Sequence, residues 1–196
     1  MQSLKYLLVG EKPNRQTDTI EQALLESDCQ TIESTFGFAA LDEKVLRFQP
    51  DVLIIVAAHA APQTLEAIRI IHEHFPVPVI IFAEEQKHDS SISNIINAGV
   101  SAYIVDGLQT SRIRTIVEIA IARFQHNLAL KTELEQTRTR LEERKLVDRA
   151  KGILMKKRDL SEQAAYHTLR KLAMDRNTTL SEMAKNIISL ADILTP

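Results

Sequence analysis

At 196 residues, with a formal net charge of −2, 44% apolar residues, 5% aromatic residues and no Trp, the chain can build an aliphatic core for one ordinary domain and a smaller one. The only cysteine, Cys29, excludes an internal disulfide framework and fits a reducing compartment, with a buried inert thiol expected. No apolar run approaches the ~20 residues that cross a bilayer, and the N-terminal run is too short for a signal peptide, so a cytoplasmic protein without membrane contact is expected.

In chain order, "LKYLLV" (4–9), "DVLIIV" (51–56) and "PVIIFA" (78–83) are short aliphatic runs bounded by Pro, Gly and charges. Their brevity and β-branching predict strands buried on both faces. "YIVDG" (103–107) reads the same way, and the alternating "CQTIEST" (29–35) reads as an edge strand. Helical patterns fall between them at 16–27, 63–74 and 90–98. Strand–helix alternation predicts an α/β fold, a five-stranded parallel sheet in the flavodoxin-like order, over residues 1–109.

From Thr110 to about Lys157 there is no Pro and the only Gly is Gly152, which predicts one long helix. It starts amphipathic through Ile113, Ile116, Val117, Ala120, Ile121 and Phe124, and becomes highly charged after Lys131. Leu130, Leu134, Thr137 and Leu141 form a thin heptad seam, so residues 110–145 are read as a coiled-coil dimerisation linker, with a solvated helical linker as the alternative. Residues 141–196 are read as a three-helix bundle. Its second helix buries Ala165, Leu169, Leu172 and Ala173; its third buries Leu180, Met183, Ala184, Ile187, Ile188 and Ala191. Asp159-x-x-Glu162 and Thr179-x-x-Glu182 both fit capping-box spacing at the two helix starts.

The near-neutral total hides an asymmetry. From Lys145 to Arg176, nine basic residues stand against four acidic ones, a local +5 that leaves −7 on the rest. A basic segment on an acidic body points to a polyanion contacted by one part only. Lys151, Lys156, Lys157 and Arg158 cluster in sequence at the end of the long helix. Gln163, Tyr166, His167, Arg170 and Lys171 lie opposite the apolar stripe of the next helix, and Arg176 follows. Cations beside an aromatic suit backbone phosphates and unstacked loop bases, so Lys151, Lys156, Lys157, Arg158, Tyr166, Arg170, Lys171 and Arg176 are the candidate RNA contacts, with the solvated faces of a small bundle and a snorkelling Tyr166 as the alternative. His59 and the i, i+2 pair His72 and His74 do not make a metal set. No glycine-rich phosphate loop, Ser-His-Asp set or CxxC pair is present, so neither a cofactor nor enzyme activity is expected.

The N-terminal half resembles the receiver domain of two-component response regulators through "PDVLIIV" and "PVIIFA". That resemblance implies an acid pair after the first strand, an acceptor Asp ending the third, a hydroxyl ending the fourth and a Lys ending the fifth. Here those places hold Gly10 with Glu11, Val56, Ala83 and Asp106. Phosphoryl transfer needs a nucleophile and neutralising cations, so Glu11, Val56, Ala83 and Asp106 read as a degenerate phosphorylation site in a pseudo-receiver.

"AKGILM", "LSEQAAYHTLRKLA" and "TTLSEMAKNII" resemble the ANTAR domain, and with "GVSAYIVDGLQTSR" the chain resembles the NasT-type antiterminators, with AmiR-type regulators related by architecture. The resemblance implies binding of a two-hairpin leader RNA in control of nitrate and nitrite assimilation genes. It also implies inhibition by a NasS-like nitrate-sensor protein. The expected function is therefore RNA-binding transcription antitermination by a homodimer controlled through contact. The alternatives are an atypical DNA-binding response regulator and an adaptor that titrates a partner protein.

Overall fold

The computed structural model describes residues 4–26, 31–38, 40–85, 91–106 and 109–194, without the side chains of Ile193 and Leu194. Cys29, Ser27 and Gly107 lie outside the described residues, and with them the expectation of a buried thiol. The chain divides into two compact units, residues 1–128 and 129–196.

In the first unit, β1 (Lys5–Gly10), β2 (Thr31–Phe36), β3 (Val52–Ala57), β4 (Val79–Ala83) and β5 (Val100–Val105) form one parallel sheet in the order β2-β1-β3-β4-β5. This is the flavodoxin-like order. β1, β3 and β4 are central and lose nearly all side-chain exposure, which is why they read as unbroken aliphatic runs. Alternate residues feed two cores. Leu7, Val9, Leu53, Ile55, Val79 and Ile81 pack with α2 (Leu41–Phe48), α3 (Pro62–His74) and α4 (Ile92–Asn97). Tyr6, Leu8, Ile54, Val56, Ile80 and Phe82 pack with α1 (Arg15–Leu25) and with Ile113, Val117 and Ala120 of α5 (Thr110–Arg158).

Two elements differ from the sequence reading. α2 was not anticipated. It has only eight residues, and its N-cap, Ala40, is left-handed (φ 51°) with no capping side chain; the Leu41, Val45, Phe48 spacing was its one signal. β5 begins at Val100 rather than Tyr103. A register shift between Val79 and Ile80 pairs Val79 with Val100 and Ile80 with Ala102, so Ser101 is the bulged residue and breaks the alternation.

The second unit comprises the last turns of α5, then α6 (Glu162–Asp175) and α7 (Leu180–Leu194). Its core is Ala150, Leu154, Ala165, Leu169, Ala173, Met183, Ala184 and Ile188, with Leu146, Ile153, Leu172, Leu180 and Ile187 partly buried against it. The alanines allow close helix approach, and the leucines and Met183 fill the gaps. Thr179 and Glu182 form the anticipated capping box. Glu182 Oε2 accepts from Thr179 N at 2.9 Å, and Glu182 N donates to Thr179 Oγ1 at 3.2 Å. The other proposed box does not form. Asp159 sits in the left-handed region (φ 49°), and Ser161 caps α6 by accepting from Ala164 N at 3.3 Å. Glu162 is two residues too close to Ser161 to close the box, whose N3 position is held by Ala164.

Candidate nucleic-acid interface

Helical spacing puts Gln163, Tyr166, His167, Arg170, Lys171 and Met174 on one side of α6, opposite buried Ala165, Leu169 and Ala173. Tyr166 is 39% exposed and stands edge-on to His167, ring centroids 6.2 Å apart. Met174, 70% exposed, extends the face by another turn and was missed in the sequence because it reads as core. Among the described residues, Lys156, Lys157, Arg158, Arg170, Lys171 and Arg176 have no carboxylate partner. The run Lys156, Lys157, Arg158 is a cluster in sequence more than in space. At about 100° per residue its members splay over roughly 200° of the helix.

Lys151 stands apart from the other candidates. Its ammonium reaches Asp148 Oδ1 and Glu162 Oε1, both at 2.8 Å, and its side chain is only 15% exposed. Asp148 and then Glu162 hold the ammonium above its usual pKa range; Lys151 in turn holds the Asp148 carboxyl below its own. The bridge ties α5 to the start of α6, so this charge is locally neutralised rather than offered to solvent. Beside it lies a groove of about 360 Å³ lined by Lys151, Glu162, Gln163, Tyr166 and His167. A second ion pair, Arg149 to Asp192 at 3.2 Å, ties α5 to α7.

At the other candidate site, pairing aligns the strand ends. Gly10 is opposite Val56, Val56 opposite Phe82, Ala57 opposite Ala83, and Ala83 opposite Val105. Val56 is 1% exposed in the core shared with α1 and α5, and Ala83 is buried too. Asp106 turns outward in a left-handed conformation (φ 46°) and donates its N–H to Ala83 O at 3.1 Å. Glu11 is exposed. A Cβ on Gly10 would come within 2.9 Å of Thr17 Cγ2. Thr17 is fixed there by three hydrogen bonds with Asn14, which caps α1. The place of the first acid is therefore filled as well as unoccupied by an acid.

His72 packs edge-on to Phe124 with centroids 6.0 Å apart, and His74 Nδ1 lies 2.9 Å from Ile70 O. Among the described residues, no three His, Cys, Asp or Glu side chains gather as metal ligands, and no helix is long and apolar enough to cross a membrane. From Gln125 to Lys145 every side chain of α5 is exposed in the single chain, including Leu130, Leu134 and Leu141 at about half.

Residues 135–188 match the ANTAR domain family model. The transcriptional regulatory protein PdtaR of Mycobacterium tuberculosis is 30% identical over 140 residues, covering 71% of this chain and 68% of that protein. A nitrate regulatory protein of Klebsiella oxytoca is 38% identical over 61 residues, 31% of this chain and 15% of its own. The fold is shared with a response regulator from Thermotoga maritima (TM-score 0.52, 19% identity, 62% of this chain and 99% of that one). It is shared too with the receiver domain of the putative response regulator NarL from M. tuberculosis (TM-score 0.51, 12% identity, 61% and 98%). A receiver-like sheet followed by helices that carry the ANTAR match, with a regulatory protein 30% identical over 71% of the chain, places the chain in the family of ANTAR-domain transcriptional regulators.

Proposed function

We infer that the protein is an RNA-binding transcription antiterminator. It comprises a pseudo-receiver at 1–109, a dimerising helix at 110–145 and an RNA-binding bundle at 141–196. The observation that carries this is the α6 face: exposed Arg170 and Lys171, free of carboxylates, one turn from exposed Tyr166. Tyr166 supplies a stacking surface for an unpaired base, while Arg170, Lys171, Arg176 and the Lys156–Arg158 run neutralise phosphates. Lys151, paired with Asp148 and Glu162, is not one of the phosphate contacts.

The ligand in this reading is a two-hairpin leader transcript, bound in the cytoplasm by a dimer that presents two bundles. Likeness to a nitrate regulatory protein supports nitrate and nitrite assimilation genes as the target. Because Glu11, Val56, Ala83 and Asp106 supply neither an acceptor nor a neutralising cation, control falls to a binding partner, a nitrate-sensor protein that releases the antiterminator when its ligand arrives.

A gel shift on the full chain tests the reading. A double-hairpin leader RNA is expected to bind far more tightly than its scrambled counterpart at physiological salt, and Arg170→Ala with Tyr166→Ala to abolish that difference while leaving helix content intact. Equal affinity for the two RNAs would refute it. Retained activity in the double variant would favour a protein-titrating adaptor.

A further inference from the structure

The groove between α5 and α6 has a chemistry unlike the cationic face around it. Asp148, Lys151 and Glu162 together carry one net negative charge, so the groove repels phosphate and suits a neutral, polar ligand. Its donors and acceptors are laid out in order. The Lys151 ammonium has three N–H bonds, two of them occupied at 2.8 Å by Asp148 and Glu162, leaving one free. Glu162 Oε1 takes the Lys151 bond, and Oε2 takes none among the described residues. The Glu162 side chain is 69% exposed, so its carboxylate stays open to a ligand. Lys151 and Glu162 thus present one donor beside two acceptors, with the exposed Tyr166 ring, Gln163 and His167 in the rest of the wall.

We propose that this groove holds one unpaired guanine of the transcript, its Watson–Crick edge read by Glu162 and Lys151. Guanine presents an acceptor (O6) followed by two donors (N1–H and N2–H). Lys151 donates to O6, and the Glu162 carboxylate accepts from N1–H and N2–H. Adenine would turn its N1 lone pair, cytosine its N3 and O2, and uracil its O2 toward the carboxylate, leaving an unpaired acceptor against a negative charge. Tyr166 stacks on the base, which is the usual way an extruded loop base is held. Asp148 fixes the ammonium before RNA arrives. The proposal rests on the RNA reading above and adds the identity of one base.

The test uses a two-hairpin RNA with randomised loops, selected on the full-length protein. Selected loops are expected to share one fixed guanine. Replacing it with inosine, which lacks only the N2 amine, is expected to weaken binding about tenfold, and replacing it with adenine about 10- to 100-fold. Glu162→Gln presents an acceptor and a donor beside the Lys151 donor, the complement of uracil N3–H, O2 and O4, so selection on this variant is expected to fix uracil at the same position. Binding without a fixed guanine, or the same base selected by both proteins, would overturn the assignment and leave the RNA reading standing. If no loop is enriched over the starting pool, the RNA reading fails and the assignment falls with it.

Discussion

Restoring the missing acceptor with Val56→Asp should damage the protein rather than revive a phosphorylation site. Val56 is 1% exposed and its strand neighbours are Gly10 and Phe82, so a carboxylate there meets apolar surroundings and no cation. Burial of this kind raises a carboxyl pKa by about 3 units, which at 1.36 kcal/mol per unit costs about 4 kcal/mol at pH 7. An unpaired buried polar group adds about 1–3 kcal/mol. The total, roughly 5–7 kcal/mol, approaches the whole stability of a domain at about 5–15 kcal/mol.

The sign of the pH dependence is diagnostic. The folded-state pKa of this Asp is raised, so the charge penalty is absent below the ordinary aspartate range. It grows as pH rises toward the folded value and then levels. Urea unfolding of variant and wild type should differ by roughly 2.5–3.5 M in midpoint at pH 7, for an m of about 2 kcal/mol/M, and by much less near pH 4. Neither protein should take stable label from acetyl phosphate with Mg²⁺. A variant as stable as wild type at pH 7 that also labels would refute the argument, because it would mean the strand ends enclose an open, cation-bearing pocket.

Three further outcomes are expected. Leu134→Asp with Leu141→Asp places charges on the exposed seam of α5 and should leave only monomer in sedimentation at micromolar concentration, with the far-ultraviolet spectrum of the two units retained. Lys171→Ala should weaken binding about equally for every RNA and lower the slope of log K against log salt by about 0.7–0.9, whereas Glu162→Gln should leave that slope unchanged. Thr179→Ala removes the α7 cap and should cost about 1 kcal/mol of bundle stability in thermal unfolding. The Thr179 N–H and hydroxyl hold the Glu182 carboxyl below the usual glutamate range, so the stability they lend is present at neutral pH and is lost as pH falls through that lowered value. The difference between variant and wild type should therefore narrow in acid.

Much of this architecture was legible because burial leaves a periodic trace. The aliphatic runs around Leu7, Ile54 and Ile81 are fully buried strands, and the 3.6-residue stripe from Leu180 to Ala191 is the inner face of α7. α2 left a weaker trace because it is short and its caps are backbone conformations at Ala40 and Gln49 rather than side chains. At the candidate interface, the exposed face of α6 followed from helical spacing alone. The partnership of Lys151 with Asp148 and Glu162 did not, since Glu162 belongs to another helix and fits a capping pattern that Ser161 fulfils instead. Sequence lists charges; only the fold shows which ones neutralise each other.

That distinction bears on how a receiver-like unit without an acceptor can regulate anything. Moving a two-state element from 1:99 to 99:1 requires about 5.5 kcal/mol of differential binding, which in the proposed reading comes from a partner rather than from covalent phosphate. The α5 seam is the element suited to that role. Leu130, Leu134 and Leu141 are each about half exposed, so pairing two copies buries six half-side-chains at about 1 kcal/mol each, roughly 6 kcal/mol in all. Association itself costs at least about 4 kcal/mol in lost freedom. A seam of this size pairs marginally, which makes its occupancy sensitive to concentration and to any partner that covers the same leucines. The same thinness that makes the heptad pattern faint in the sequence is what would let a masking protein, rather than a phosphoryl group, decide when two bundles are presented together.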